Sequence, residues 1–498
     1  ESLEKHRRLL FFFGDRNQQS PTSMHILKAR LRTVLLKTRM PFKYGIATMT
    51  TFPLAFIELQ CQINGNKTRG WSSDILPPKW FTKEADKDPM VEIIEMQEVI
   101  ERACLASKEL QADQPFDFWC KLYTCQATWA AERNIPSLLA QFGTSLIERA
   151  IIDAYCRYQG KPFHQLLRHH GLGFDPHWFG KPFALASMGE SIPAKPLEYL
   201  IARHTVGLSD PILDSDIQPS ERLEDGLPQS LEHCIAHYGI KHLKIKIAGD
   251  MQEDAERLLR IESMLETKPL EDTRFSLDGN ERFDSMALFK DYWQRLESDP
   301  RLKRFFERIL FVEQPLHRQS ALEGETAATL SSWDHSPPII IDESDGDIHS
   351  NEKGLSLGYA GTSHKNCKGI FKSIANACLL KAKEKEFPNR PFLISGEDLC
   401  NQGPISVIQD CCVAASLGIA SVERNGHHYC TGLADHPTGI QKAIMQNHDD
   451  FYRLHDHGWP TLHIRDGLIS MQSLNQSPFG LGFEPDLGDY PCEADRTF

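Results

Sequence analysis

From His25 to Trp71 apolar and polar residues alternate, as in "ILKARLRTVLL" and "LAFIELQCQIN", with the period of two that a half-buried strand requires. "NGNK" at 64–67 carries the turn chemistry of a hairpin, so this stretch predicts a small antiparallel sheet. Residues 91–134 then read as helical. A further helix is predicted in "GTSLIERAIIDAYCRYQGKPFHQLLR", where Leu146, Ile147, Ala150, Ile151, Ala154 and Tyr155 recur at helical spacing and Gly160 with Pro162 ends it.

After Lys181 the rhythm changes. Short β-branched runs, "HLKIKI", "RFSLDGN", "ILFVEQP", "PPIIIDES", "GYAGTSHK", "PFLISGED" and "ASVERNG", each end in polar or charged residues, and several are followed by a helical pattern. Repeated strand–helix units imply a parallel sheet. The residues that close successive runs are 34, 35, 29, 23 and 33 positions apart from Lys244 through Asp278, Glu313, Asp342 and Lys365 to Asp398. A βα barrel of about 250 residues spends roughly 31 per unit, so the spacing favours a closed barrel over an open sheet. The expected division is 1–25 an N-terminal extension, 26–145 an α+β capping domain, 146–444 the barrel, and 445–498 a segment packing back on the cap.

Composition agrees with two domains: 498 residues at 41% hydrophobic content suffice for two cores. Asp and Glu (68) outnumber Lys and Arg (55), giving a net charge of -13, which disfavours a phosphate-tracking nucleic-acid binder and suits a protein holding a cation or a small substrate. No apolar run approaches the roughly 18 residues of a membrane span, and Leu9 to Phe13 is too short for a secretory segment. The 13 cysteines are scattered without a CxxC pair, which indicates neither a disulfide scaffold nor a zinc site and suggests a reducing, cytoplasmic location.

In a barrel the C-terminal strand ends share one face, so the charged residues closing each run converge on one mouth. Asp278, Glu313 and Asp342, from three consecutive strands, would offer a hard divalent cation such as Mg²⁺ the oxygen ligands it prefers. Lys244 and Lys246, two apart on one strand, would both face the mouth, lower each other's pKa, and thereby prepare one of them to take a proton from a carbon acid. Lys365 would approach from the other side, with Lys368 and Lys372 competing for its role. Asn280, Glu343, Glu397 and Asp398 join the set as supporting or substrate-binding candidates.

The ordered set "LKIKI", "LDGN", "FVEQP", "IDES" and a lysine after the next strand resembles the mandelate racemase/muconate lactonizing enzyme branch of the enolase superfamily. "RMPFKYG" at 39–45 and "LIERAIIDAYCRYQGKPFHQLL" at 146–167 are similar to that branch as well. The resemblance implies an α+β cap on a modified (β/α)7β TIM-type barrel and one Mg²⁺ on Asp278, Glu313 and Asp342. It also implies α-proton abstraction from a small-molecule carboxylate through a metal-stabilised enolate, and a homo-oligomer. Lys246 would be the base on one face, Lys244 its tuning neighbour and Lys365 the acid or base opposite, in the manner of the two-lysine muconate lactonizing subgroup. Racemase, epimerase or cycloisomerase chemistry is expected; an acid-sugar dehydratase sharing the first half-reaction, or a non-catalytic metal-binding barrel, are the alternatives. "LDGN" in place of Asp-Ala-Asn, a single Gly369 where a glycine pair is usual, and no Asp-x-Asp after the last strand depart from the pattern, and the last argues against a dipeptide substrate. His427 and His428, which follow the last strand, are not assigned to a His/Asp dyad. "YGIATMTTFP" at 44–53 reads as a lid over the mouth.

Overall fold

The computed structural model describes residues 23–44, 46–266 and 272–498; the expected N-terminal extension lies outside them up to residue 22. The described residues open with an antiparallel meander, β1 (Met24–Tyr44), β2 (Ala47–Ile63) and β3 (Asn66–Ile75). Asn64 and Gly65, at φ 50° and 80°, make the tight turn that matches the twist of the β2–β3 hairpin. A two-residue strand, β4 (Gln111–Ala112), adds to β1. The tip of the β1–β2 hairpin contains the 44–53 segment expected as a lid, of which residue 45 lies outside the described residues, and Phe42, Tyr44 and Met49 of this hairpin line the barrel mouth.

Three helices cover this sheet: α1 (Pro89–Lys108), α2 (Pro115–Ala131) and α3 (Ser137–Gln159). Asp88 caps α1 by accepting from the Met90 amide at 2.7 Å, with Pro89 in the first turn where a missing N–H costs nothing. Gly160, at φ 60°, ends α3 in the left-handed conformation. α3 is buried over most of its length and runs unbroken through residues 145 and 146, where the sequence places the division between cap and barrel. Two glycines permit its close approach: a Cβ on Gly70 would stand 2.0 Å from the Ala150 carbonyl oxygen, and one on Gly143 2.1 Å from that of Val99.

Eight parallel strands form the second domain: β5 (Tyr199–Val206), β6 (His242–Lys246), β7 (Arg274–Asp278), β8 (Ile309–Glu313), β9 (Ile339–Ile341), β10 (Gly361–His364), β11 (Leu393–Gly396) and β12 (Ser421–Arg424). β12 pairs back with β5, Glu423 beside Arg203, and closes the ring. Helices connect successive strands, so the predicted (β/α)7β barrel is what the chain forms. β5 precedes the first run the pattern marked, because the polar sequence Arg203-His204-Thr205 interrupts its apolar residues.

The last fifty residues reach both domains. β13 (Tyr452–Leu454) and β14 (Pro460–Leu462) form a hairpin, β15 (Ile464–Arg465) and β16 (Leu468–Ser470) another, and β16 lies antiparallel on β5. β17 (Ala494–Thr497) lies antiparallel on β1, Arg30 opposite Thr497. Among the described residues no helix is long and apolar enough to cross a membrane.

Candidate active site

The C-terminal ends of the barrel strands face the cap across a cavity. Lys244, Lys246, Asp278, Asp342, Glu343 and Lys365 line its floor, and Phe42, Tyr44, Met49 and Trp80 supply an apolar cap wall. On β6 the alternation works as the sequence predicts: Lys244 and Lys246 turn inward while Ile245 and Ile247 are buried at 0% and 1% exposure on the other side.

Lys244 sits among four carboxylates: Nζ is 2.7 Å from Glu313 Oε2, 2.7 Å from Glu397 Oε2, 3.0 Å from Glu423 Oε2 and 3.1 Å from Asp278 Oδ2. This corrects the expectation that the two lysines depress each other. Burial alone lowers the Lys244 pKa, but Asp278, Glu313, Glu397 and Glu423 together push it well above the ordinary lysine value. Glu423 is held below the usual carboxylate range, since Lys244, Lys246 and Lys365 outweigh its burial.

Lys246 donates to Asp278 Oδ2 and Asn280 Oδ1, both at 2.6 Å. Asn280 is fixed in turn by its own amide, which donates to Asp278 Oδ1 at 2.8 Å. Lys365 donates to Asp342 Oδ2 at 2.5 Å, and its ammonium lies 4.7 Å from the centre of the Trp80 ring. Burial works against the Lys365 charge, yet Asp342 and Glu313 raise its pKa above the ordinary value. Lys368 also reaches Asp342, at 3.1 Å, but it does not line the cavity, and Lys372 pairs with Asp345 instead. Of the three candidates on this stretch, Lys365 is the one with access to a ligand.

Asp278 and Glu313 are register partners on neighbouring strands, and Asp342 follows β9 at the same mouth. Lys244 lies against both Asp278 and Glu313, while Lys365 and Lys368 hold Asp342. The donor set nevertheless fits a divalent cation. Both Glu313 oxygens are buried and neither accepts a well-formed hydrogen bond, Oε2 meeting the Lys244 ammonium only as an ion pair. Burial, Asp278 and Glu397 push the Glu313 carboxyl well above its usual range, the mark of a site short of positive charge. An all-oxygen carboxylate set of this kind is what Mg²⁺ selects.

The supporting candidates divide. Glu343 lines the cavity, and burial with Asp342 and Glu281 raises its pKa to about 7. Asp398 also reaches the cavity; burial raises it to about 7 against the pull of Arg424, and it accepts from the Asn401 amide at 2.8 Å and the Asn425 amide at 3.1 Å. Glu397 is committed to Lys244, Ser395 and Arg203 and does not face the cavity. Sequence reasoning assigned no role to Arg203, Thr205 and Glu423. Thr205 donates to Glu423 at 2.6 Å, so the closing pair of strands completes the carboxylate ring around Lys244. The signal was the final run "SVER", which ends in a charged residue like its predecessors.

No family model matches the chain, and no curated protein matches it either. Its fold is shared with solved structures of the mandelate racemase/muconate lactonizing enzyme branch of the enolase superfamily. A muconate lactonizing enzyme from Pseudomonas fluorescens complexed with muconolactone is similar at 17% identity and a TM-score of 0.58, over 93% of this chain and 97% of that one. An enolase from Bradyrhizobium complexed with magnesium and mandelic acid is similar at 15% and 0.57, over 94% and 97%. A dipeptide epimerase from Enterococcus faecalis V583 with Mg and the dipeptide L-Leu-L-Tyr is similar at 17% and 0.54, over 80% and 90%. At these identities the likeness establishes the fold.

Proposed function

We propose that the protein is a Mg²⁺-dependent enzyme of the enolase superfamily that removes the proton α to the carboxylate of a small-molecule acid. It would complete a racemisation, epimerisation or cycloisomerisation, or, by β-elimination, a dehydration. The observation that carries this reading is the placement of two lysines on one cavity. Lys246 ends β6 and Lys365 follows β10, four strands further round a ring of eight, so a bound acid would present opposite faces of its α-carbon to the two lysine side chains.

Asp278, Glu313 and Asp342 would hold the cation, which supplies the positive charge a substrate carboxylate requires as it gains a second negative charge. The remaining work falls to the chain's own side chains. Lys246, oriented by Asp278 and Asn280, would first give its ammonium proton to solvent and then, as the neutral amine, take the α-proton. Lys365, kept protonated by Asp342, delivers one from the other face. Such proton transfers typically contribute about 10² to 10⁴ in rate. The rim of Phe42, Tyr44, Met49 and Trp80 excludes water and fits an acid whose remaining part is apolar better than a polyol.

The test is deuterium exchange at the α-carbon of a carboxylate library in D₂O with Mg²⁺, followed by NMR. Exchange is expected with aryl- or alkyl-substituted acids and should fall at least about 10²-fold in Lys246→Ala. No exchange with any acid would sink the reading. Full exchange in Lys246→Ala would refute the role given to that lysine.

A further inference from the structure

Behind the mouth, at the seam where β12 closes on β5, three ligand-bearing side chains meet. Arg203 and Thr205 reach the carboxylates inside the barrel, so His204 between them faces outward. Cys234 comes from the helix Leu231–Tyr238 and His428 from the turn Gly426–Tyr429 after β12. Their exposures are 2%, 0% and 2%, and one ligand atom from each lies within 4.8 Å of the others. Cys234 Sγ stands 3.5 Å from His428 Nδ1.

A second ring of groups orients the first. His427 Nε2 is 3.0 Å from His204 Nδ1, and Asp210 Oδ2 is 3.9 Å from His428 Nε2, the nitrogen turned away from Cys234. A carboxylate or ring nitrogen on the far side of a ligating histidine is the arrangement that fixes its tautomer and direction. Burial holds His204 at about 4 and His428 well below the ordinary histidine value, so both rings stay in the neutral, ligating form. Burial pushes the Cys234 thiol up, so it ionises only for a cation seated beside it. The Arg39 guanidinium, which donates to the His428 carbonyl at 2.9 Å, is already compensated by Asp225 at 2.6 Å.

We propose that His204, Cys234 and His428 form a zinc site that clamps the closing seam of the barrel. Two imidazole nitrogens and a thiolate are a borderline-soft set that selects zinc over Mg²⁺. On binding, the thiol proton leaves to solvent and the sulfur–metal bond replaces the S–H. The spacing 204, 234, 428 contains no sequence motif, which is why the absence of a CxxC pair did not exclude it. The proposal is independent of the chemistry at the mouth.

The full chain is loaded with Zn²⁺ in excess Mg²⁺, which keeps the mouth carboxylates occupied, and desalted. One equivalent of zinc per chain is expected to remain, and Co²⁺ in its place should give a thiolate-to-cobalt charge-transfer band. Cys234→Ser and His428→Gln should lose the band and retain at least tenfold less zinc, with unchanged circular dichroism; Asp342→Asn should keep both. No retained zinc, or an undiminished band in Cys234→Ser, overturns the proposal. Should the variants fail to fold, zinc-edge X-ray absorption of the unmodified protein decides: one sulfur in the coordination shell supports the site, and an all-oxygen shell overturns it.

Discussion

Lys244 sets the electrostatics of the mouth from the cavity floor. Its single charge is shared by Asp278, Glu313, Glu397 and Glu423, all buried. Removing one partner from a buried ionic set leaves the others uncompensated, at a cost of about 3–5 kcal/mol. Lys244→Met is therefore expected to lower the urea midpoint strongly, and added Mg²⁺ to recover more stability in the variant than in the parent; equal midpoints would contradict the central role of this ammonium. The inward turn of Lys244 and Lys246 was legible, because it follows from a period of two along one strand. The fourfold carboxylate contact was not: it joins residues 278, 313, 397 and 423, whose proximity arises only when the ring closes. Arg203 and Thr205 were hidden for a related reason, since polar residues pointing into a barrel disguise its strand as a loop.

Among the elements, the hairpin at Asn64–Gly65, the helix ending at Gly160 and the barrel strands from β6 onward follow directly from turn chemistry and periodicity. The contact between α1 and α3 does not, for a glycine inside a helix reads only as a weak helix former. Gly143 marks where the Val99 carbonyl needs the space. Gly143→Ala should cost about 1–3 kcal/mol by forcing α1 and α3 apart. Gly65→Ala, with nothing within 4 Å but φ at 80°, should cost only about 1 kcal/mol through backbone strain. Calorimetric melting of the two variants checks the order; a larger loss for Gly65→Ala would contradict the packing account.

For the whole molecule, buried neutral histidines tie stability to pH. His436, whose Nδ1 is 2.7 Å from the Tyr490 hydroxyl, is lowered by burial from 6.5 to about 4. The unfolded chain protonates first on acidification, so the stability contributed by keeping this ring neutral is present above pH 6.5 and is lost as pH falls toward 4. A shift of this size corresponds to at most about 3 kcal/mol. The stability gap between the parent and His436→Gln should therefore shrink over that window in denaturant titrations, and a gap that does not change with pH would show that the ring is not buried as described.

The attachment of β16 to β5 and of β17 to β1 bears on how the chain is made. Both domains are begun well before residue 455, yet each receives a strand from the stretch beyond residue 467. Ribosome-bound chains stalled near residue 455 should thus present cap and barrel alike as protease-sensitive, and both should become resistant together once residue 497 has cleared the exit tunnel. The arrival of β16 and β17 then finishes two folds at once, and a chaperone that shields nascent chains would have to wait for the same few residues to release either.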